Sequence, residues 1–368
     1  MPHVDRAAAE RVLAASRDTI SRLQDANGAY PASPTFSAYR GYCWFRDGSF
    51  IADAASVAGL PDSASAFFDW CAATLTSRAA AVTDIVARAK TSTPVDDLHM
   101  LPARFTFDGG VGVDDWWDFQ LDGYGTYLWA LFAHAARHDL PLEGHLAAIQ
   151  LTVDYLVSSW DRPCYDWWEE SSGHRHVSTL GCVGAGLEAA AASALLDPER
   201  EAAATLAAAQ IRDLIEREGV VDGHLVKWLG GTSVDASLSA LVSPLGYIPA
   251  QTDLARATVT AVESELARDH GVYRYLGDTF YGGGRWPLLS CFLGLAMHAT
   301  GREDDAAEYL AWAARTATAT LDMPEQVSDQ LLAPERIQEW EDKWGAVATP
   351  LLWSHAMLLR LNAEVTHP

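Results

Sequence analysis

A rhythm of helices and unequal loops constrains this chain more than any other feature. Apolar residues recur at helical spacing from end to end, while alternating strand-like runs are few and short. Gly, Pro and Asp breaks divide the pattern into about twelve helical blocks. They fall near 4–25, 47–60, 63–90, 123–138, 143–160, 178–195, 198–217, 233–243, 253–268, 286–300, 303–320 and 350–363. The links into odd-numbered blocks are short, such as Leu60-Pro61-Asp62 and Asp139-Leu140-Pro141. The links into even-numbered blocks are long: 26–46, 91–122, 161–177, 218–232, 269–285 and 321–349. Long loops in a compact domain usually carry function.

Short and long links in alternation predict six antiparallel helical hairpins closed into a ring, an all-α (α/α)6 barrel. The six long loops then emerge on one face, around the N-terminal ends of an inner set of helices, and that face holds the pocket. The even-numbered blocks are also the less polar ones, as an inner ring requires. The runs 288–296 and 351–359 carry few charges, whereas 198–217 and 303–320 carry charged outer stripes. No linker or composition break marks a second domain, so a single catalytic domain over 1–368 is expected.

The net charge of −23 argues against nucleic acid and anionic membrane surfaces as partners, because both require clustered Lys and Arg. Neutral substrates remain compatible with it. The five cysteines, Cys43, Cys71, Cys164, Cys182 and Cys291, are scattered without a CxxC pair, as reduced core residues would be. The N-terminus has no apolar signal core, and no apolar run reaches transmembrane length. A cytoplasmic location is expected. No metal or cofactor is implied, and a monomer is plausible.

The chemistry concentrates in the long loops. Trp44, Trp116, Trp117, Trp167, Trp168, Trp228, Trp286, Trp340 and Trp344 fall in or beside them, interleaved with Asp, Glu and Arg. Indole rings at loop mouths with carboxylates between them suit sugar binding. In Cys164–Thr179 the adjacent Glu169 and Glu170 follow two tryptophans, and a carboxyl in a dry aromatic wall has its pKa raised toward neutrality. Arg46 and Asp47 end the first long loop. Asp47 reads either as a cap of the second helix or, with Arg46, as a fork for two sugar hydroxyls. Asp122 and Asp235 carry the same double reading. Gly282-Gly283-Gly284 permits a tight turn but lacks the strand and Lys-Ser of a phosphate loop. Proline rigidifies the approach to Glu325. His174 and His176 lack a third ligand at metal spacing, and neither a nucleophile elbow nor a dinucleotide fingerprint occurs. Carboxylate catalysis is what remains.

Six segments in register resemble glycoside hydrolase family 15, the glucoamylase and glucodextranase family, whose fold is an (α/α)6 barrel. Tyr42-Cys43-Trp44-Phe45-Arg46-Asp47 resembles the family's Tyr-x-Trp-x-Arg-Asp, and Gln120-Leu121-Asp122-Gly123-Tyr124-Gly125 its bacterial Gln-Leu-Asp-x-Tyr-Gly. Asp166-Trp167-Trp168-Glu169-Glu170 resembles Asp-Leu-Trp-Glu-Glu, and Arg274 to Trp286 resembles Arg-Tyr-x-x-Asp-Thr-Tyr-Tyr followed by Gly and Trp. Glu325-Gln326 and Trp353-Ser354-His355 match the last loop and the final helix.

The resemblance implies an exo-acting, inverting α-glucoside hydrolase that releases β-glucose from the non-reducing end. By position it assigns Glu169 as general acid, Glu325 as general base and Tyr39 near the catalytic water. Glu170, Arg46 and Asp47 would bind the sugar, Arg274 would lie near Glu170, and Trp44, Trp117, Trp168, Trp286 and Trp353 would line the walls. Inversion needs carboxyl groups about 6.5 to 9.5 Å apart with water between one of them and the anomeric carbon. Glu169 must be protonated and Glu325 ionised, so a drier setting is expected for Glu169.

The chain lacks the N-terminal β-domain and starch-binding module of larger relatives, so a starch granule is not the expected substrate. Its compact form resembles the branch acting on isomaltose, and short α-1,6-linked sugars are expected. The α-1,4 linkage and trehalose are the alternatives within the class. Phe280 replaces the first tyrosine of the family's Tyr-Tyr pair, removing a hydroxyl that would steady Tyr39. Two further readings compete: a catalytically silent sugar-binding barrel and a phosphorolytic barrel. A matched acid and base argue against the first, and glucose release without phosphate separates the second.

Overall fold

In a computed structural model the described residues are 6–91, 93–116 and 119–366. The helices are α1 (Arg6–Leu23), α2 (Phe45–Val57), α3 (Pro61–Thr76), α4 (Ala79–Lys90), α5 (Asp122–His138), α6 (Leu146–Ser159) and α7 (Val177–Ala192). There follow α8 (Pro198–Glu218), α9 (Ser239–Val242), α10 (Asp253–Leu266), α11 (Pro287–Ala299), α12 (Glu303–Arg315), α13 (Ile337–Trp344) and α14 (Leu352–Thr366). Short strands β1 (Tyr42–Trp44) and β2 (Arg104–Thr106) pair antiparallel, with Trp44 opposite Arg104.

Six helices form a closed inner ring in the order α2, α5, α7, α9, α11, α14, with α14 returning to α2. These are the six even-numbered blocks. The others pack outside: α3 on α2, α6 on α3, α8 on α7, α10 on α9 and α11, α12 on α11, and α1 on α14. Burial follows the layers. Every residue of α2 from Phe45 to Ser56 is buried, whereas α8 buries the stripe Ala204, Ala207, Ala208, Ile211, Leu214, Ile215 and leaves its charges outside. On α5 and α7 the inner ring closes backbone to backbone. A Cβ on Gly125 would stand 2.3 Å from the Cys182 carbonyl oxygen, and one on Gly186 2.4 Å from that of Gly125. Only glycine allows that approach.

Three block boundaries differ from expectation. The block 63–90 breaks at Ser77-Arg78, where the Arg78 guanidinium turns to the Thr74 carbonyl (2.9 Å) and the Gly109 carbonyl (2.5 Å). The inner block 233–243 is a 3-10 turn, Ala236–Leu238, followed by the single turn α9, and Pro244 prevents its extension. The sixth long loop contains a helix of its own, α13, with no buried residue. Its amphipathic pattern is short and strongly charged, so it reads as loop. No described helix is long and apolar enough to cross a membrane.

Candidate active site

The long loops converge on a cavity of about 260 Å³ walled by Tyr39, Trp44, Trp116, Trp167, Trp168, Phe280, Trp286, Trp340, Trp344 and Trp353, with Arg46, Asp47, Glu169, Glu170, Arg274 and Glu325 as its charges. Inner helices present their N-terminal ends here, where the backbone dipole favours carboxylates. Every residue that the resemblance assigns to the site, within the described chain, lines this cavity. Trp117 lies outside the described residues. Trp228 is turned away and stacks on His174 at 4.3 Å.

A five-residue turn carries Glu169 and Glu170. Asp166 Oδ1 accepts from the Trp168 N–H (3.0 Å) and the Glu170 N–H (2.9 Å), and the Glu169 N–H donates to the Asp166 carbonyl (3.0 Å). Closure of this turn puts Glu169 at φ 62°, a left-handed conformation that a side chain adopts only when its surroundings impose it. Those surroundings include Lys227, whose Nζ lies 3.1 Å from Asp166 Oδ2 and 2.7 Å from Asp235 Oδ2. Burial alone would lower the Lys227 pKa, but Asp235 and Asp166 hold it above its ordinary value. Asp235 also caps its own turn through the Ser237 N–H (2.9 Å) and takes the Trp168 indole N–H (2.9 Å). For Asp235 the capping reading therefore prevails, with a role in holding the wall. Sequence reasoning missed Lys227, which belongs to no recognisable motif.

Both oxygens of Glu169 are taken by indoles. Trp44 Nε1 donates to Oε1 at 2.5 Å and Trp116 Nε1 to Oε2 at 2.8 Å. Burial nonetheless pushes its pKa to about 7, against Arg46 and the indole bond, which lower it. Glu170 sits beside it but faces other partners. Arg274 Nη2 donates to Oε1 at 3.3 Å, and the Tyr275 hydroxyl donates to Oε2. Asp278 fixes Arg274 from behind, accepting from Nε at 2.8 Å.

Glu325 is placed by the opposite wall. Its N–H donates to the Ala348 carbonyl (2.9 Å), the Ser354 hydroxyl donates to the Pro324 carbonyl (2.8 Å), and the Met323 N–H donates to His355 Nε2 (3.0 Å). Glu325 Oε1 accepts from the Tyr39 hydroxyl at 2.9 Å, while the buried Oε2 has no hydrogen-bond partner. Burial pushes the Glu325 pKa to about 8, opposed by the Tyr39 bond and Arg274. Burial and the nearby Glu325 and Glu169 raise the Tyr39 phenol well above its ordinary value, so it stays a donor.

This reverses the expected order of dryness. Glu325 is 2% exposed, while Glu169 is only partly buried. Two donors and the field of Arg46 serve Glu169, and one phenol serves Glu325. Nor is Tyr39 loose for want of a hydroxyl at Phe280. Its ring packs 4.4 Å from Phe36 and 5.4 Å from Trp44, while the Phe280 ring lies against Arg274 and Trp340.

Arg46 and Asp47 occupy the first turn of α2. Because the helix begins at Phe45, Asp47 makes no capping bond; it lies 3.4 Å from Arg46 and lines the cavity. Burial raises its pKa to about 6 despite Arg46. Arg46 is held by Gln120 (2.5 Å) and Asp122 (3.3 Å) beneath the rings of Trp167 and Trp353. Asp122 thus anchors a cavity residue without lining the cavity. Among the described residues no cluster of three or more His, Cys, Asp or Glu is placed to hold a metal ion.

Residues 6–363 match the profile of glycosyl hydrolases family 15. The chain belongs to that family. The chain is similar to isomaltose glucohydrolase of Kribbella flavida (strain DSM 17836), 53% identical over 351 residues, which span 95% of this chain and 91% of that protein. The structure of a glycosidase variant in complex with glucose is 50% identical, with a TM-score of 0.96, and covers 100% of this chain and 99% of its own. The glucoamylase of Saccharomycopsis fibuligera shares the fold, with a TM-score of 0.73 at 15% identity over 98% of this chain and 96% of that one. The family places the chain among the glycoside hydrolases.

Proposed function

We propose that this family 15 hydrolase cleaves isomaltose and short α-1,6-linked gluco-oligosaccharides from the non-reducing end, with inversion, releasing β-glucose. The observation that carries the assignment of roles is the unequal dressing of two carboxyls in one cavity. Glu169 is the general acid. Its proton passes to the glycosidic oxygen as the C1–O bond breaks, and the carboxylate left behind is received by two indole N–H donors already in place. Glu325 is the general base. In its ionised form, the minor form at neutral pH with a pKa of about 8, its Oε2 takes a proton from the water that bonds to C1 from the opposite face, while Tyr39 holds Oε1. Arg46 and Asp47 bind the terminal glucose, and Glu170 and Arg274 face the departing sugar. The indoles of Trp44, Trp168, Trp286 and Trp353 supply apolar faces for the rings. The 53% identity to isomaltose glucohydrolase across nearly the whole of both chains supports the α-1,6 linkage.

The unit of activity is the whole barrel as one catalytic domain, because the ring closes only where α14 meets α2. All five cysteines are free and buried, which suits a reducing compartment, and we assign the enzyme to the cytoplasm.

The test is to incubate the purified protein in phosphate-free buffer with isomaltose, maltose or trehalose and follow the anomeric proton signals in the first minutes. β-Glucose appearing first, fastest from isomaltose, is the expected result. α-Glucose first, or no glucose without phosphate, would overturn the mechanism. A preference for maltose or trehalose would overturn the linkage.

A further inference from the structure

Beside the main core lies a small separate cluster: Trp44, Ala32 and Ala103, packed with Tyr39, Tyr42 and Trp116. Arg104 of β2 runs through it. The guanidinium carbon stands 3.8 Å from the Tyr42 ring centroid, 4.7 Å from that of Trp116 and 5.3 Å from that of Trp44. Arg104 is 1% exposed and lines no part of the cavity. One nitrogen bonds Asp114 and another donates to the Ala38 carbonyl at 3.4 Å. A full positive charge is thus buried behind the two indoles whose N–H groups occupy both oxygens of Glu169.

We propose that Arg104 is a positioning residue for the general acid: stacked on Trp116 and Trp44, it fixes the rotation of both indoles so that their N–H groups converge on Glu169. Its attraction for the ring faces also draws electron density from the N–H ends and makes them stronger donors. The inference rests on Glu169 being the acid. Arg46 and Asp47 face Glu169 from α2, Tyr39 from the first long loop and Gln120 from the approach to α5. Arg104 acts from the far side of the rings. Loss of its pull weakens the bonds that favour the ionised carboxyl, so the Glu169 pKa rises.

Arg104→Met keeps the aliphatic stem, and the Asp114 side chain left behind is 46% exposed and stays solvated, so the variant is expected to fold. A thermal melt checks this, and Arg104→Lys provides a milder change. The readouts are kcat/KM against pH and the indole N–H NMR signals of Trp44 and Trp116, assigned with Trp→Phe variants. For Arg104→Met we expect a loss of roughly tenfold or more in kcat/KM. The midpoint of the pH profile moves upward whichever limb the acid governs, because the midpoint follows the sum of the two pKa values. Both indole signals move upfield, and Arg104→Lys recovers part of each effect. In a Trp116→Phe background the Arg104→Met effect shrinks, since half of the relay is already gone. Unmoved indole signals, or fully additive effects in the double variant, would overturn the proposal. If Glu169→Gln kept full activity while the indole signals still moved, the reading of Glu169 as acid would fall and the positioning of the indoles would stand.

Discussion

The two sides of the cavity hold their carboxyls by different means. The Glu169 side is built on charge: Lys227 between Asp166 and Asp235, Arg274 between Asp278 and Glu170, and two indole donors on the carboxyl itself. The Glu325 side is built from neutral groups, namely main-chain bonds to Ala348, the Ser354 hydroxyl, the His355 ring and one phenol. The difference matches the tasks. An acid must become an anion during the reaction and gains from donors waiting for it. A base must keep one oxygen uncommitted, and a dry setting with few donors does that, at the cost of a pKa near 8.

The largest effect that would break this comparison is kinetic. Glu169→Gln and Glu325→Gln are each expected to lower kcat on isomaltose by about a thousandfold or more. α-Glucosyl fluoride, whose leaving group needs no proton, should restore turnover in Glu169→Gln but leave Glu325→Gln inactive. Equal behaviour of the two variants would dissolve the distinction.

Next is stability. Lys227→Met strands two buried carboxylates and should cost about 3 kcal/mol or more. His355→Gln keeps an acceptor for the Met323 N–H and should cost about 1 kcal/mol. Denaturant unfolding at neutral pH compares them, and similar losses would show that the charged and neutral scaffolds differ only in appearance.

Smaller again are the single donors. Trp116→Phe and Tyr39→Phe each remove one hydrogen bond that favours an ionised carboxyl, so each should cost roughly tenfold in kcat/KM. Both should also displace the pH profile upward, since the loss raises the pKa of Glu169 or of Glu325. A downward displacement in either variant would contradict the bond assigned to it.

The last prediction concerns what the dry setting does to folding. The Glu325 pKa is about 8 folded against an ordinary 4.5. Between those values the unfolded chain releases its proton and the folded chain retains it, so stability falls as pH rises. Glu325→Gln should therefore stabilise the protein by about 1–3 kcal/mol at neutral pH and hardly at all near pH 4. A melting temperature unchanged at both pH values would mean that the carboxyl is not held protonated.

The ring was legible because its signals are periodic. Six inner blocks with few charges are suited to burial on most sides, and the long links identify the face with the pocket. Arg46, Asp47, Glu169 and Glu325 were legible because each lies in a long-loop segment that resembles a family 15 motif. What lacked a period stayed hidden. Trp116 follows no periodic pattern in its sequence segment, so nothing there marks its ring as one that turns inward. Lys227 on Asp166, Tyr275 on Glu170 and Arg104 on Tyr42 reach partners distant in sequence. The order of dryness depends on how many donors reach each carboxyl, which is a property of the assembled wall.

The contact of α5 with α7 through Gly125 and Gly186 has a consequence for the spacing of the elements that carry the cavity's residues. Where two helices touch main chain to main chain, no side chain can be trimmed to bring them closer, and any added carbon wedges them apart. Asp122, which anchors Arg46, heads α5, and the turn bearing Glu169 feeds α7. The pair of glycines therefore works as a gauge, setting the span between α5, headed by the anchor of Arg46, and α7, fed by the turn of Glu169, by the thickness of two bare backbones.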